Sequence, residues 1–245
     1  DNKNVLLDIE KELLFDESQI NIIDEIVISP GINPGHKQIK NFGTKNKIIT
    51  DIDLFSREFK GNFIGVTGTN GKTTFVNLLT DFLISKGIDA VACGNVGVSP
   101  LSINFEDKDF AIVELSSFQL HYALNLNIDF GIFLNFHSDH LDWHKDEKEY
   151  RKSKLKLLTF LNSYENLVTG LNTLSKKHLE DILNVPIDKD KDELLMKSYD
   201  FDDTNFPVDT CLSFIKIIEK LDINPDEGYE YLKKEVQSEH RFEFV

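Results

Sequence analysis

Residues Phe63 to Thr74 read FIGVTGTNGKTT. An apolar run suited to a buried strand (Phe63, Ile64, Val66) breaks at Gly68, Thr69, Asn70 and Gly71, after which Lys72, Thr73 and Thr74 open a helix. Strand, glycine turn and helix in that order make a phosphate cradle. Glycines let successive backbone N–H groups turn inward, the helix N-terminus adds partial positive charge, and a lysine reaches the outer phosphates of a nucleotide. The Thr73 hydroxyl is then placed to ligate Mg²⁺. The general Gly-x-x-x-x-Gly-Lys-Thr pattern wants glycine where this chain has Val66, so Gly68-x-x-Gly71-Lys72-Thr73-Thr74 is a variant. The same punctuation also serves a plain strand-to-helix turn, and the Lys-Thr-Thr sequel is what points to a nucleotide.

Outward from this loop, apolar runs alternate with helical patterns. Phe75, Val76, Leu78, Leu79, Phe82 and Leu83 recur at helical spacing, with Gly87 where a C-cap belongs. Ala90 to Cys93, Phe110 to Leu115 and Phe130 to Leu134 read as further buried strands. This alternation predicts an α/β fold, a mostly parallel sheet flanked by helices, with ligands collecting at the carboxyl ends of the strands. Before the loop, Ile23 to Ile28 and Lys45 to Ile49 read as two short strands of a small α/β unit. Between them Ser29-Pro30-Gly31 and Asn33-Pro34-Gly35 mark turns.

Candidate site residues stand at strand ends. Glu114 closes the Phe110 run beside the phosphate loop, where a nucleotide's Mg²⁺ needs a carboxylate; a solvated strand-end glutamate is the plainer reading. Asn135 to His144 (NFHSDHLDWH) holds three histidines, and His137, His140 and His144 at i, i+3 and i+7 are compatible with zinc. No cysteine accompanies them and the phosphate loop calls for a hard cation, so both metals stay open. Asp146 to Phe160 reads as a helix with Lys148, Lys152 and Lys156 on a solvated stripe. Lys154 instead shares a face with Tyr150, Leu157 and Leu158. An inward lysine needs a partner, a depressed pKa or a modification, unless its stem snorkels to water. Asp188 to Glu193 (DKDKDE) reads as a solvated loop, and Pro207 opens a helix with Val208, Cys211, Leu212, Ile215, Ile218 and Leu221 at core spacing.

Composition narrows the classes. The 245 residues are 40% hydrophobic and carry a net charge of −15, and the sequence pI is near 4.8. Such acidity argues against nucleic acid or an anionic membrane as a partner, so an anionic ligand must be gripped locally. Two cysteines, Cys93 and Cys211, offer neither a disulfide framework nor paired metal spacing, and no run is long enough to span a membrane. A cytoplasmic location and a monomer are expected.

GTNGKTT at 68–74, GNVGVSPL at 94–101, ELSSFQL at 114–120, SDHLDWH at 138–144 with a lysine downstream, and HRFEFV at 240–245 together resemble the Mur ligases. Folylpolyglutamate synthase shares the phosphate loop; the other stretches look most like the Mur branch that joins D-glutamate to UDP-N-acetylmuramoyl-L-alanine. The resemblance implies a P-loop central ATP-binding domain at 51–239, preceded at 1–50 by part of a small Rossmann-like UDP-sugar domain. Residues 240–245 would begin a third domain, and without it the chain would be inactive alone. It further implies ATP and two Mg²⁺ as cofactors. Gly68, Thr69, Asn70, Gly71, Lys72, Thr73 and Thr74 would hold the phosphates, Thr73 and Glu114 one Mg²⁺, and His140 with a carbamylated Lys154 the other. Asn95, Ser116, Gln119 and His140 would meet the UDP-sugar, with Ser29, Pro30 and Gly31 near its diphosphate. Asn205 and Arg241 would lie toward ATP. The family's His-Asn-x-x-Asn stretch at the adenine is altered here, Thr204 replacing the histidine and Val208 the second asparagine. Readings from other classes are an ATPase or ATP-sensing module without ligase activity, and a metal protein built on the histidines.

Overall fold

The computed structural model describes residues 24–42, 47–95, 99–105, 107–171 and 189–235. Its centre is β3 (Asn62–Thr67), flanked by β5 (Phe110–Glu114) and β6 (Phe130–Phe133), with β4 (Ala90–Gly94) and β7 (Leu167–Thr169) outermost. All five strands run parallel in the order β4-β5-β3-β6-β7. A parallel sheet is covered on both faces, so its strands are apolar throughout rather than alternating with polar residues. Alternation survives as a choice of face. Ile64, Val66, Ile112 and Ile132 pack with Phe75, Leu79 and Phe82 of α3 (Lys72–Ser85) and with Phe214, Ile215 and Ile218 of the helix that Pro207 opens, Val208–Lys220. Phe63, Ala111, Val113 and Phe133 pack on the other face with Phe55 of α2 (Asp51–Glu58), Leu120 of α4 (Ser117–Tyr122), Leu157 and Leu158.

The small unit ahead of this sheet is also parallel. β1 (Glu25–Val27) pairs in register with β2 (Lys47–Ile49), and α1 (Lys37–Phe42) lies between them in sequence. The expected strands form with ends that differ by one or two residues, and the α3 pattern and Gly87 at the helix end, φ 78°, stand as read; Ile23, Lys45 and Asn46 lie outside the described residues. Residues 1–23 and the HRFEFV stretch lie outside the described residues.

Two expectations need correction. The helix at 146–160 is α5 (Glu147–Leu155), capped by the Asp146 carboxylate on the Glu149 amide at 2.8 Å, and it tightens into a 3₁₀ turn, Lys156–Phe160. Three residues per turn carry Lys156 off the solvated stripe. Its Nζ donates to the His121 carbonyl at 2.9 Å, and burial lowers its pKa. The DKDKDE run is not a loop. It enters α6 (Lys189–Ser198), whose inward face carries Asp192 and Leu195. Asp192, 2% exposed, pairs with Lys216 of α7 (Val208–Lys220), and the Lys216 Nζ also donates to the Thr169 carbonyl at 2.9 Å. One lysine thus ties α6 and α7 to the edge strand β7. Helix α8 (Pro225–Glu235) packs on α7.

Lys216→Met removes the cation beside a buried carboxylate and should destabilise the fold by about 3 kcal/mol or more. Adding Asp192→Leu should restore most of that loss, read as urea midpoints of both variants.

Candidate nucleotide and metal site

The phosphate loop leaves β3 at Thr67 and enters α3 at Lys72. Gly71, the N-cap of α3, sits at φ 79°, ψ 0°. Its neighbours leave room for a Cβ, the nearest atom being Thr210 Oγ1 at 3.7 Å, so backbone conformation rather than space calls for glycine there. A glycine cap offers no side-chain acceptor, and the first intrahelical bond is Phe75 N–H to the Gly71 carbonyl. The amides of the first helical turn are therefore available to an anion. Asn135 at the end of β6 sets the rest of the loop: its Oδ1 accepts from the Thr69 and Asn70 amides at 3.0 and 2.9 Å, and its Nδ2 donates to the Asn70 carbonyl at 3.0 Å. Sequence reading passed over Asn135. Its signal was a polar residue directly after a buried run that neighbours the loop strand.

Glu114 closes β5 next to this loop and is 2% exposed. Thr73 Oγ1 donates to its Oε2 at 2.7 Å and Asn95 Nδ2 to its Oε1 at 3.1 Å. Gly94 makes the approach of Asn95 possible. It adopts φ 115°, and a Cβ there would fall 2.3 Å from the Glu114 carbonyl oxygen. A buried carboxylate, hydrogen-bonded on both oxygens by neutral groups and adjoining a threonine hydroxyl, is a hard donor set that fits Mg²⁺.

Two lysines face this carboxylate. Lys72 folds back to donate to the Thr69 carbonyl at 3.0 Å; burial lowers its pKa, opposed by the charges of Glu114 and Asp139. Lys154 is 2% exposed, donates to the Gly68 carbonyl at 2.6 Å, and lies 4.9 Å from the centre of the Tyr150 ring. Burial first, and then the charge of Lys72, bring its pKa down to about 7, against the pull of Asp139 and Glu114. Tyr150 in turn places its hydroxyl 3.0 Å from Thr69 Oγ1. The ring of His140 stands edge-on to Tyr150 at 6.1 Å and to Phe118 at 5.0 Å, on a residue at φ 52°. Thus Tyr150 is the common neighbour of Lys154, His140 and the loop.

The remaining expected residues divide. Ser116 and Gln119 form a capping box on α4, Gln119 Oε1 accepting from the Ser116 amide and hydroxyl at 3.1 Å each, so both carry structural work at the site wall. Ser29, Pro30 and Gly31 form a turn that docks on Trp143, whose Nε1 donates to the Gly31 carbonyl at 3.1 Å. Asn205 is exposed beyond the loop, whereas Thr204 turns inward, its hydroxyl donating to the Phe201 carbonyl at 2.8 Å. Thr204 is therefore not presented to a base as the family's histidine is expected to be. Arg241 lies outside the described residues. A cavity lined by Met196, Tyr199, Phe201 and Val208 shares no residue with the Glu114 and Lys154 cluster.

The zinc alternative does not form. Residues 134–146 are loop and turns, and among the described residues no three of His, Cys, Asp and Glu gather as metal ligands. His144 is instead 1% exposed, with Nε2 2.9 Å from Ser117 Oγ, and burial lowers its pKa to about 4.

The chain is similar to known proteins in sequence and fold. The Mur ligase middle domain family matches residues 66–211. The UDP-N-acetylmuramoylalanine--D-glutamate ligase of Pseudothermotoga lettingae is 33% identical over 233 residues, 91% of this chain and 54% of that protein. The protein of the same name from Leptospira interrogans is 38% identical over 161 residues, 65% of this chain and 34% of the relative. The chain spans about half the length of the relative from Pseudothermotoga lettingae. Among solved structures, UDP-N-acetylmuramate:L-alanyl-gamma-D-glutamyl-meso-diaminopimelate ligase from Neisseria meningitides superposes with a TM-score of 0.56 at 16% identity, over 94% of this chain and 83% of that one. UDP-N-acetylmuramate-alanine ligase from Thermotoga maritima gives 0.51 at 17% identity, over 86% and 54%. Identities this low show the shared fold.

The Lys154 environment generates a pH prediction for the ligand-free protein in carbon dioxide-free buffer. In the unfolded chain Lys154 holds its proton up to about pH 10.5, and in the folded protein only to about 7. Between those values the unfolded state binds more protons, so stability rises with pH across the window, and the cost of the buried charge is complete below it. The stability of the wild type relative to Lys154→Met should therefore increase from pH 7 to pH 10, measured as paired urea midpoints.

Proposed function

Since this chain belongs to the Mur ligase family, we propose that it is the nucleotide-binding part of an ATP-dependent ligase that adds D-glutamate to UDP-N-acetylmuramoyl-L-alanine in peptidoglycan precursor synthesis. The observation that carries the proposal is the 2.7 Å contact between Thr73, in the first turn after the phosphate loop, and the buried Glu114. The names of the relatives from Pseudothermotoga and Leptospira support the choice of amino acid. We assign residues 1–50 to a UDP-sugar domain, 51–239 to the ATP domain and 240–245 to the start of a closing domain. Among the described residues no helix is long and apolar enough to cross a membrane, and we place the reaction in the cytoplasm.

In this reading ATP phosphorylates the terminal carboxylate of the UDP-sugar substrate, and the D-glutamate amine displaces phosphate from the acyl phosphate. Lys72 and the first-turn amides of α3 hold the phosphates. Thr73 with Glu114, and His140 with a carbamate on Lys154, would hold two Mg²⁺ ions, which when bound neutralise the charge that builds on the transferring phosphoryl group. Asn95 keeps the Glu114 carboxylate aimed at Thr73. Lys154 supplies the carbamate because a pKa near 7 leaves much of its amine neutral. The neutral amine attacks CO₂, loses a proton and becomes an anion with two ligand oxygens, reversing the sign of a residue that would repel a cation. The protein contributes position and charge, with no covalent nucleophile among these residues. Incubating the intact protein with ATP, Mg²⁺, UDP-N-acetylmuramoyl-L-alanine and D-glutamate should yield ADP in step with the amide product; ADP release indifferent to D-glutamate would overturn the assignment.

Lys72→Ala should abolish ATP binding while leaving the fold intact, since alanine suits the helix start; a titration in the presence of Mg²⁺ with unchanged affinity would refute the assignment of Lys72. Lys154→Ala should reduce kcat at least a hundredfold in the intact enzyme while bicarbonate leaves the variant unrescued. Full activity of that variant, or featureless density beyond the Lys154 Nζ at high resolution in bicarbonate-containing crystals, would count against the carbamate.

A further inference from the structure

The Ser29–Asn33 turn and the loop carrying His140 are far apart in sequence, yet three hydrogen bonds join the turn to the central domain. Trp143 Nε1 donates to the Gly31 carbonyl at 3.1 Å, Asn33 Nδ2 donates to the Trp143 carbonyl at 2.8 Å, and Tyr122 Oη donates to the Ile32 carbonyl at 2.7 Å. Trp143 takes part in two of them, as donor through its ring and as acceptor through its backbone. Its indole is also wedged into the site wall. It stacks on Phe118 with ring centres 4.5 Å apart and meets His121 and His144 edge-on at 5.2 and 4.6 Å. Phe118 in turn touches the His140 ring at 5.0 Å. The backbone closes the same circuit, because the amides of Trp143 and His144 both donate to the His140 carbonyl, at 3.2 and 3.0 Å. His140 takes its left-handed φ of 52° at the start of this closed turn.

We infer that Trp143 is a positioning residue: it registers the Ser29–Asn33 turn against the His140 loop, so that a diphosphate at the turn and the reacting groups beside His140 are held at one fixed separation. The inference rests on the proposed function for the identity of what the turn holds, and on the hydrogen bonds alone for the docking. The physical reason for an indole is its two-ended character. One face gives broad apolar contact to Phe118 while the single N–H reaches a backbone carbonyl. Ligand recognised on one side of such a clamp is oriented on the other without any moving part, which is how binding energy at a remote group becomes alignment at a reacting one.

The test uses the intact protein and Trp143→Phe, which keeps a ring on Phe118 and deletes the donor. Hydrogen exchange, free of all ligands, reads the docking: the Ile32 and His36 amides, which close the turn on Ser29 and Asn33, should exchange about fivefold faster in the variant, the factor expected for one net hydrogen bond. Steady-state kinetics read the positioning: KM for UDP-N-acetylmuramoyl-L-alanine should rise about fivefold, with KM for ATP and Tm unchanged. Unchanged exchange at the turn overturns the inference whatever the enzyme does. Faster exchange with a uniform loss of kcat and Tm also overturns it, since that is the signature of packing alone. If the wild type makes no amide product while exchange at the turn responds as expected, the functional assignment fails and the docking role of Trp143 stands.

Discussion

The structure converges on a carboxylate with almost no access to water. Glu114 is buried at the end of β5, and the groups that contact its oxygens, the Thr73 hydroxyl and the Asn95 amide, are neutral. Neutral donors soften the cost of burying the charge without cancelling it, so the site retains negative potential for a cation. Three neighbouring strands end in register to make this possible. β3 delivers the loop and Thr73, β4 ends in a glycine that lets Asn95 close in, and β5 supplies Glu114 itself. Opening of the β4–β5 or β3–β5 pairing would hydrate the carboxylate and dismantle the cradle together.

Positive charge in the same volume is arranged unevenly. Lys72, in the first turn of α3, folds back onto the Thr69 carbonyl of the loop. Lys154 is held from more sides. It is enclosed by Tyr150 and tied to the Gly68 carbonyl, and the Lys72 charge disfavours a second ammonium beside it. Burial lowers the pKa of both amines, and Lys154, the more deeply enclosed, comes down to about 7. Asp139 and Glu114 act on both lysines in the opposite sense, raising pKa values that burial lowers.

A further layer lies outside the strands. Asn135, Tyr150 and Trp143 bond neither to the Glu114 carboxylate nor to the first-turn amides of α3, yet each fixes a piece of backbone that bears a candidate group. Asn135 shapes the loop through three hydrogen bonds, Tyr150 joins Thr69 to Lys154, and Trp143 joins the small N-terminal unit to the His140 turn. Asn135 and Trp143 bond to loops distant in sequence, at Thr69–Asn70 and Gly31–Asn33, whereas the Tyr150–Lys154 contact is an i, i+4 pair that helical spacing shows.

What the chain alone determined is local. Periodicity and glycine placement identified the parallel α/β sheet, the phosphate loop, the C-cap at Gly87 and the inward face that bears Lys154, because each is fixed by residues within one or two turns of one another. The departures at Thr204 and Val208 were also legible, although the fate of Thr204 was not: its hydroxyl is taken by the Phe201 carbonyl inside the core. Tertiary structure decided the rest. It turned an acidic run into a helix because Asp192 found Lys216, drew Lys156 inward because a 3₁₀ turn rotated it onto the His121 carbonyl, and gave His144 to Ser117 rather than to a metal. Each of those outcomes depends on a partner supplied from another part of the chain, and the energy of such a pairing exists only once the fold has brought the two together.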